Sequence, residues 1–160
     1  MEGHWAYSYI ASAVAKGWIT GFEDGTFGPY KPITRCQAVK IMNSALERRD
    51  EDFAKDRAQQ KFHDVPSSHW AIKYINYATE QSWVSGIGGG LFQPDRNVSR
   101  TEICVMLNRI TGRIPGGAYA VYNTGFTDVQ PSFWGYADIM EATNSHNVSS
   151  IQNGVEVWSF

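Results

Sequence analysis

The chain has 160 residues, is 42% hydrophobic and 14% aromatic, and carries a formal charge of -2. That is enough length and apolar content for a core without a metal or disulfide framework, and a pI near 6.1 supplies no basic field for nucleic acid. No run of about 18 apolar residues is present to insert in a membrane, and Met1 to Trp5 lack the basic-then-apolar order of a secretory signal.

The first recognisable segment is His4-Trp5-Ala6, where Trp5, Tyr9, Ile10 and Ala13 recur at helical spacing and predict one apolar face. Trp18 ends this helix as a packing residue. A loop follows from Gly21 to Pro29, and its glycines read as positive-φ turns because no Lys-Ser/Thr follows to make a phosphate cradle. Asp24 and Glu23 do not form the ligand series a calcium loop needs. Thr34-x-x-Gln37 has the capping-box form, and Ala38, Ile41, Met42 and Ala45 then share a helix face.

The unit repeats at a shift of about 65 residues. Trp5 superposes on Trp70, Ile10 on Ile75, Trp18 on Trp83, Gly21 on Gly86, Phe27 on Phe92, Pro29 on Pro94 and Arg35 on Arg100. Copy two opens with Phe62-His63-Asp64-Val65, and Ser67 or Ser68 is expected to cap its first helix. Ser99-x-x-Glu102 repeats the capping box, and Ile103, Met106, Leu107 and Ile110 form the second face. Copy three begins at Phe126-Thr127-Asp128-Val129 and continues through Trp134, Ile139 and Ala142. Its Asn153-Gly154 falls at the repeat's turn, with no second helix and no matching arginine. Glu47 to Lys61 and Gly112 to Gly125 read as linkers, the first extending the preceding helix. The expectation is one all-α module over residues 1–160, with helix–loop–helix repeats at 4–48 and 62–110 and an incomplete third at 126–160.

Cys36 and Cys104 match no zinc spacing and read as separate thiols packed as small apolar residues. His63, Asp64 and His69 lack a paired metal spacing, and no acidic pair stands in the setting a glycosidase needs. The reading is no enzyme, no metal and no cofactor.

These residues together resemble the S-layer homology family, through the Phe-x-Asp-Val opening, the His-Trp-Ala helix, the loop Gly21-Phe22-Glu23-Asp24-Gly25-Thr26-Phe27-Gly28-Pro29, and the helix starts Ile33-Thr34-Arg35 and Val98-Ser99-Arg100-Thr101-Glu102. The resemblance covers nearly the whole chain. It implies a pseudo-threefold bundle whose inter-repeat grooves bind secondary cell wall polysaccharide, often pyruvylated, and a place outside the cell at the wall or in an S-layer. It implies groove residues at Asp64 and Asp128, at Trp5, Trp70 and Trp134, at Gly21 and Gly86, and at Arg35 and Arg100. The chain departs from the family at Cys36-Gln37, where Ala-Glu is favoured, and at Gly88-Gly89-Gly90, in place of an Asp-Gly turn.

Chemistry leaves two roles open for Arg35 and Arg100. A guanidinium at a helix N-terminus gains nothing from the dipole, yet its fork suits a carboxylate such as a pyruvyl ketal. Alternatively, each pairs with an acid of the neighbouring copy. The three tryptophans read first as core anchors, with a ring edge left for a sugar. Asp64 and Asp128 read first as acceptors of backbone N–H groups. The other functional class is an assembly protein of a surface layer or virion, which keeps the fold without glycan binding and whose incomplete copies are completed by other chains.

Overall fold

The computed structural model describes residues 3–46, 59–113, 115, 125–144, 147–152 and 155–159. The described part of the chain is helical in its core, as the periodicity predicts. Its helices are α1 (Tyr7–Ala15), α2 (Arg35–Ala45), α3 (Ile72–Glu80), α4 (Arg100–Thr111) and α5 (Tyr136–Thr143). A C-terminal antiparallel pair, β1 (Asn147–Gln152) and β2 (Val155–Ser159), follows with Gln152 opposite Val155. Most of the two linkers, the end of repeat one beyond Leu46, and Asn153-Gly154 lie outside the described residues.

The chain divides into two compact units, Met1–Val98 and Ser99–Phe160. The division falls inside copy two, so neither unit is a repeat. In each, the second helix of one copy packs on the first helix of the next: α2 on α3 in the first unit, α4 on α5 in the second.

Both predicted capping boxes form. Thr34 accepts from the Gln37 N–H while Gln37 Oε1 accepts from the Thr34 N–H, and Ser99 and Glu102 exchange the same bonds. The first helices start differently from expectation. Neither Ser67 nor Ser68 caps α3; instead His69 Nδ1 accepts from the Ala71 N–H at 3.1 Å, and His4 Nδ1 accepts from Ala6 at the same distance. The imidazole reaches the turn that a serine one residue earlier does not.

The core of the first unit is built from α2, α3 and the segments of copy two that precede and follow α3. Ala38, Val39 and Met42 meet Ile72, Ile75 and Ala78, with Val65, Ala71 and Phe92 also buried. Phe92 is fully buried and packs against Phe62 at 5.3 Å between ring centroids. The buried face of α2 includes Val39 and Asn43 and is therefore rotated from the predicted stripe, which placed Ile41 and Ala45 on it. In the second unit, Met140 is buried beneath Tyr136 and Ala137. Asn108, which repeats Asn43, donates to the Asp138 carbonyl at 3.0 Å and ties α4 to α5.

Copy one's first helix is the exception to this packing. No residue of α1 is buried, and Tyr9 is 73% exposed, so the face predicted from Trp5, Tyr9, Ile10 and Ala13 has no covering helix among the described residues.

Candidate functional site

The residues singled out from the sequence fall into two sets, one in each unit. In the first unit, Arg35 opens α2 and is 4% exposed. Its Nε donates to the Phe92 carbonyl at 3.0 Å, its Nη2 to the Ser85 carbonyl at 3.1 Å, and its guanidinium lies 4.6 Å over the Phe92 ring. The side chain thus reaches from copy one to copy two, and these partners are carbonyl oxygens. Asp64 holds the same peptide from the other side, accepting from the Phe92 N–H at 2.9 Å and the Gln93 N–H at 2.7 Å. Partial burial pulls the Asp64 carboxyl upward, but these two donors outweigh it and hold its pKa below the ordinary value.

Gly21 and Gly86 do not have the positive φ expected of the loop glycines, which Gly25 and Gly28 do adopt; they owe their identity to close backbone approach. A Cβ on Gly21 would stand 2.6 Å from the Thr26 carbonyl oxygen, and one on Gly86 would stand 2.7 Å from that of Leu91. The same carbonyls accept from the Phe22 and Ile87 N–H groups, which close the two loops in the same way. Asp24 completes the copy-one turn by accepting from the Thr26 hydroxyl and N–H, and those bonds lower its pKa.

A groove of about 530 Å³ lies along copy one between this loop and α2. Gly21, Trp18, Phe22 and Thr34 line it together with Lys31 and Lys40, two cations the sequence reading did not select. Lys31 Nζ sits 4.2 Å over the Phe22 ring. Cations beside aromatic faces suit an anionic, partly apolar ligand. The signal was present in the sequence as one lysine just after the loop and one on α2, but nothing local distinguishes them from solvated surface lysines.

In the second unit, Arg100 and Asp128 line one smaller groove of about 160 Å³, with Thr101, Cys104, Phe126 and Ile139. Arg100 comes from the second helix of copy two and Asp128 from the opening of copy three. Both are exposed, and among the described residues no hydrogen bond or ion pair holds the Arg100 guanidinium. Thr101 and Phe126 are further wall residues that the sequence reading left out.

The three tryptophans are not core anchors. Trp5 is 81% exposed, Trp70 51% and Trp134 65%. Each stands in the turn before its helix, so the side chain projects off the end of the apolar face instead of lying on it. Trp5 and Trp70 stack on the capping histidines His4 and His69, with centroids 5.7 and 5.8 Å apart. Phe133 replaces the histidine beside Trp134. Both cysteines are free thiols, and burial pushes each upward in pKa.

Comparison with known families matches the sequence to the S-layer homology domain over residues 1–39 and 61–104. The chain belongs to the S-layer homology family. It is 30% identical over 156 residues to a cellulosome-anchoring protein of Acetivibrio thermocellus, covering 98% of this chain and 34% of that one. It is 32% identical over 153 residues to cell surface glycoprotein 1 of the same organism, covering 91% and 6%. It is also 35% identical over 105 residues to the S-layer protein EA1 of Bacillus anthracis, covering 66% and 12%. The chain thus spans about a third or less of the length of these relatives. No helix among the described residues is long and apolar enough to cross a membrane.

Proposed function

We propose that this S-layer homology module is a non-catalytic anchor that holds a larger protein to the cell wall, outside the cell, by binding an anionic polysaccharide, with a pyruvylated secondary wall polymer as the ligand class. The observation that carries the reading is the shared groove of Arg100 and Asp128. An untied guanidinium facing a carboxylate-bearing sugar supplies paired, charge-assisted hydrogen bonds, while Asp128 accepts from sugar hydroxyls. Exposed Trp134 offers a flat apolar face to the ring, and Trp5 and Trp70 offer the same in the first unit. The copy-one groove adds Lys31 and Lys40 for a second anionic residue of the same chain. Names of relatives that speak of cellulosome anchoring and S-layers support the anchoring role.

Arg35 takes a different part in this scheme. Its bonds to Phe92 and Ser85 set the shape of the loop walls, and direct ligand contact falls chiefly to Arg100. Binding of purified pyruvylated wall polymer to the native chain and to Arg100→Ala tests the proposal. A clear loss in the variant supports it, and equal binding sinks it.

The bare face of α1 favours one further reading, an assembly role in which another chain covers Trp5 and Tyr9. Light scattering across concentrations distinguishes it: a strictly monomeric species removes that reading.

A further inference from the structure

Cys36 Sγ, a ring nitrogen of His69 and a carboxylate oxygen of Asp95 lie within 4.8 Å of one another. We propose that these three side chains form a binding site for a zinc-class divalent cation, with water as the fourth ligand. Thiolate, imidazole and carboxylate are the three side-chain donors zinc takes, at about 2.0–2.3 Å, which puts ligand atoms of a tetrahedral ion roughly 3.5 Å apart. Closing the remaining gap requires a rotation of Asp95, which is exposed and has room for it. The sulfur and nitrogen donors favour zinc over calcium or magnesium, which take oxygen.

The backbone around the cluster is fixed in advance. The Cys36 N–H donates to the Pro94 carbonyl at 3.0 Å and the Arg35 N–H to the Arg96 carbonyl at 2.9 Å, so the segment bearing Asp95 is tied on both sides to the start of α2. Packing of α3 on α2 brings in the turn that carries His69. Thr34 Oγ1 lies 3.2 Å from Cys36 Sγ and provides an outer hydrogen bond to the sulfur.

Repetition separates this cluster from the requirements of the fold. In the register of the repeats, Cys36 corresponds to Thr101 and Asp95 to Tyr30, whereas His69 recurs as His4 in copy one and gives way to Phe133 in copy three, so that histidine also serves the fold and only the full set of three is unrepeated. A set of ligands that the helix–loop–helix unit needed would recur with the tryptophans and arginines. It occurs once.

Ion binding displaces the thiol proton, and it also changes His69. In the free protein Nδ1 accepts from the Ala71 N–H, which places the neutral ring's proton on Nε2. Ligation through Nε2 moves that proton to Nδ1, and ligation through Nδ1 displaces the Ala71 N–H. Either way, the bond at the entry to α3 is exchanged for a metal bond, and the Ala71 amide reports it.

The test uses the reduced, metal-free full chain with Zn²⁺ alone by calorimetry and Co²⁺ alone by absorption. One ion per chain is expected, with a thiolate-to-cobalt charge-transfer band, tetrahedral d–d bands and a shifted Ala71 amide resonance. Cys36→Ser should abolish the charge-transfer band, and Asp95→Asn should weaken binding roughly tenfold or more. Cys104→Ser should change neither. Asp95 is exposed, so Asp95→Asn keeps the fold, which circular dichroism verifies. Absence of saturable binding, a charge-transfer band that survives Cys36→Ser, or unchanged affinity in Asp95→Asn overturns the proposal.

Discussion

The guanidinium of Arg35 lies 4.6 Å above the Phe92 ring and donates to the carbonyl of that same residue, while Asp64 accepts from its N–H. One buried residue of copy two is therefore gripped by a cation from copy one and an anion from its own opening motif. Arg100 occupies the matching position in the next copy and is exposed. Two arginines at equivalent sequence positions thus have different surroundings.

Arg35→Ala is expected to destabilise the first unit by about 3 kcal/mol, because two carbonyls lose a charged donor and a cavity opens over Phe92. Arg100→Ala should leave stability within about 0.5 kcal/mol. Urea denaturation of the two variants checks the contrast, and comparable losses in both would count against it.

Asp64 makes stability depend on acid. Its folded pKa is depressed, so its contribution is present above the unfolded value of about 3.9 and is lost as pH falls through the folded pKa. Asp64→Asn can offer only one oxygen to the two N–H donors, and should cost about 1–2 kcal/mol at neutral pH. Below about pH 4 the native chain and the variant should converge. Thermal melts across the acid range read this out.

Gly86→Ala is expected to lose roughly 2 kcal/mol, since its methyl group would meet both the Leu91 carbonyl and the Phe62 ring. Gly25→Ala tests the other kind of glycine. Its Cβ meets nothing, so only the positive φ of 78° opposes it, and the cost should be about 1 kcal/mol. Chemical denaturation ranks the two.

Trp134→Ala should leave the melting temperature nearly unchanged, because the ring is mostly in solvent. Under the proposed function it should weaken polysaccharide binding by roughly 1 kcal/mol. Titration with wall polymer measures the second effect independently of the first.

Much of this was legible in the chain because it depends on local periodicity. Both capping boxes, the helices they start and the loop glycines follow from residues three or four apart, where the backbone itself fixes the geometry. The C-terminal pair β1–β2 departs from the all-α expectation, because the repeat register assigned Asn153-Gly154 to the turn of a helical repeat. Asn-Gly between alternating residues is the stronger hairpin signal. The capping role of the histidines was harder to see, because Ser67 and Ser68 satisfy the usual cap pattern equally well on paper.

The family, the repeat and its helical units can be read from the residues alone, since these rest on spacings that any copy must keep. The packing of α2 on α3 and of α4 on α5, which makes structural units straddle the repeats, emerges at the level of the folded chain. So do the burial of Arg35, the exposure of Trp5, Trp70 and Trp134, and the meeting of Cys36, His69 and Asp95. Each depends on which residue from a distant part of the chain stands opposite, and no local spacing encodes that.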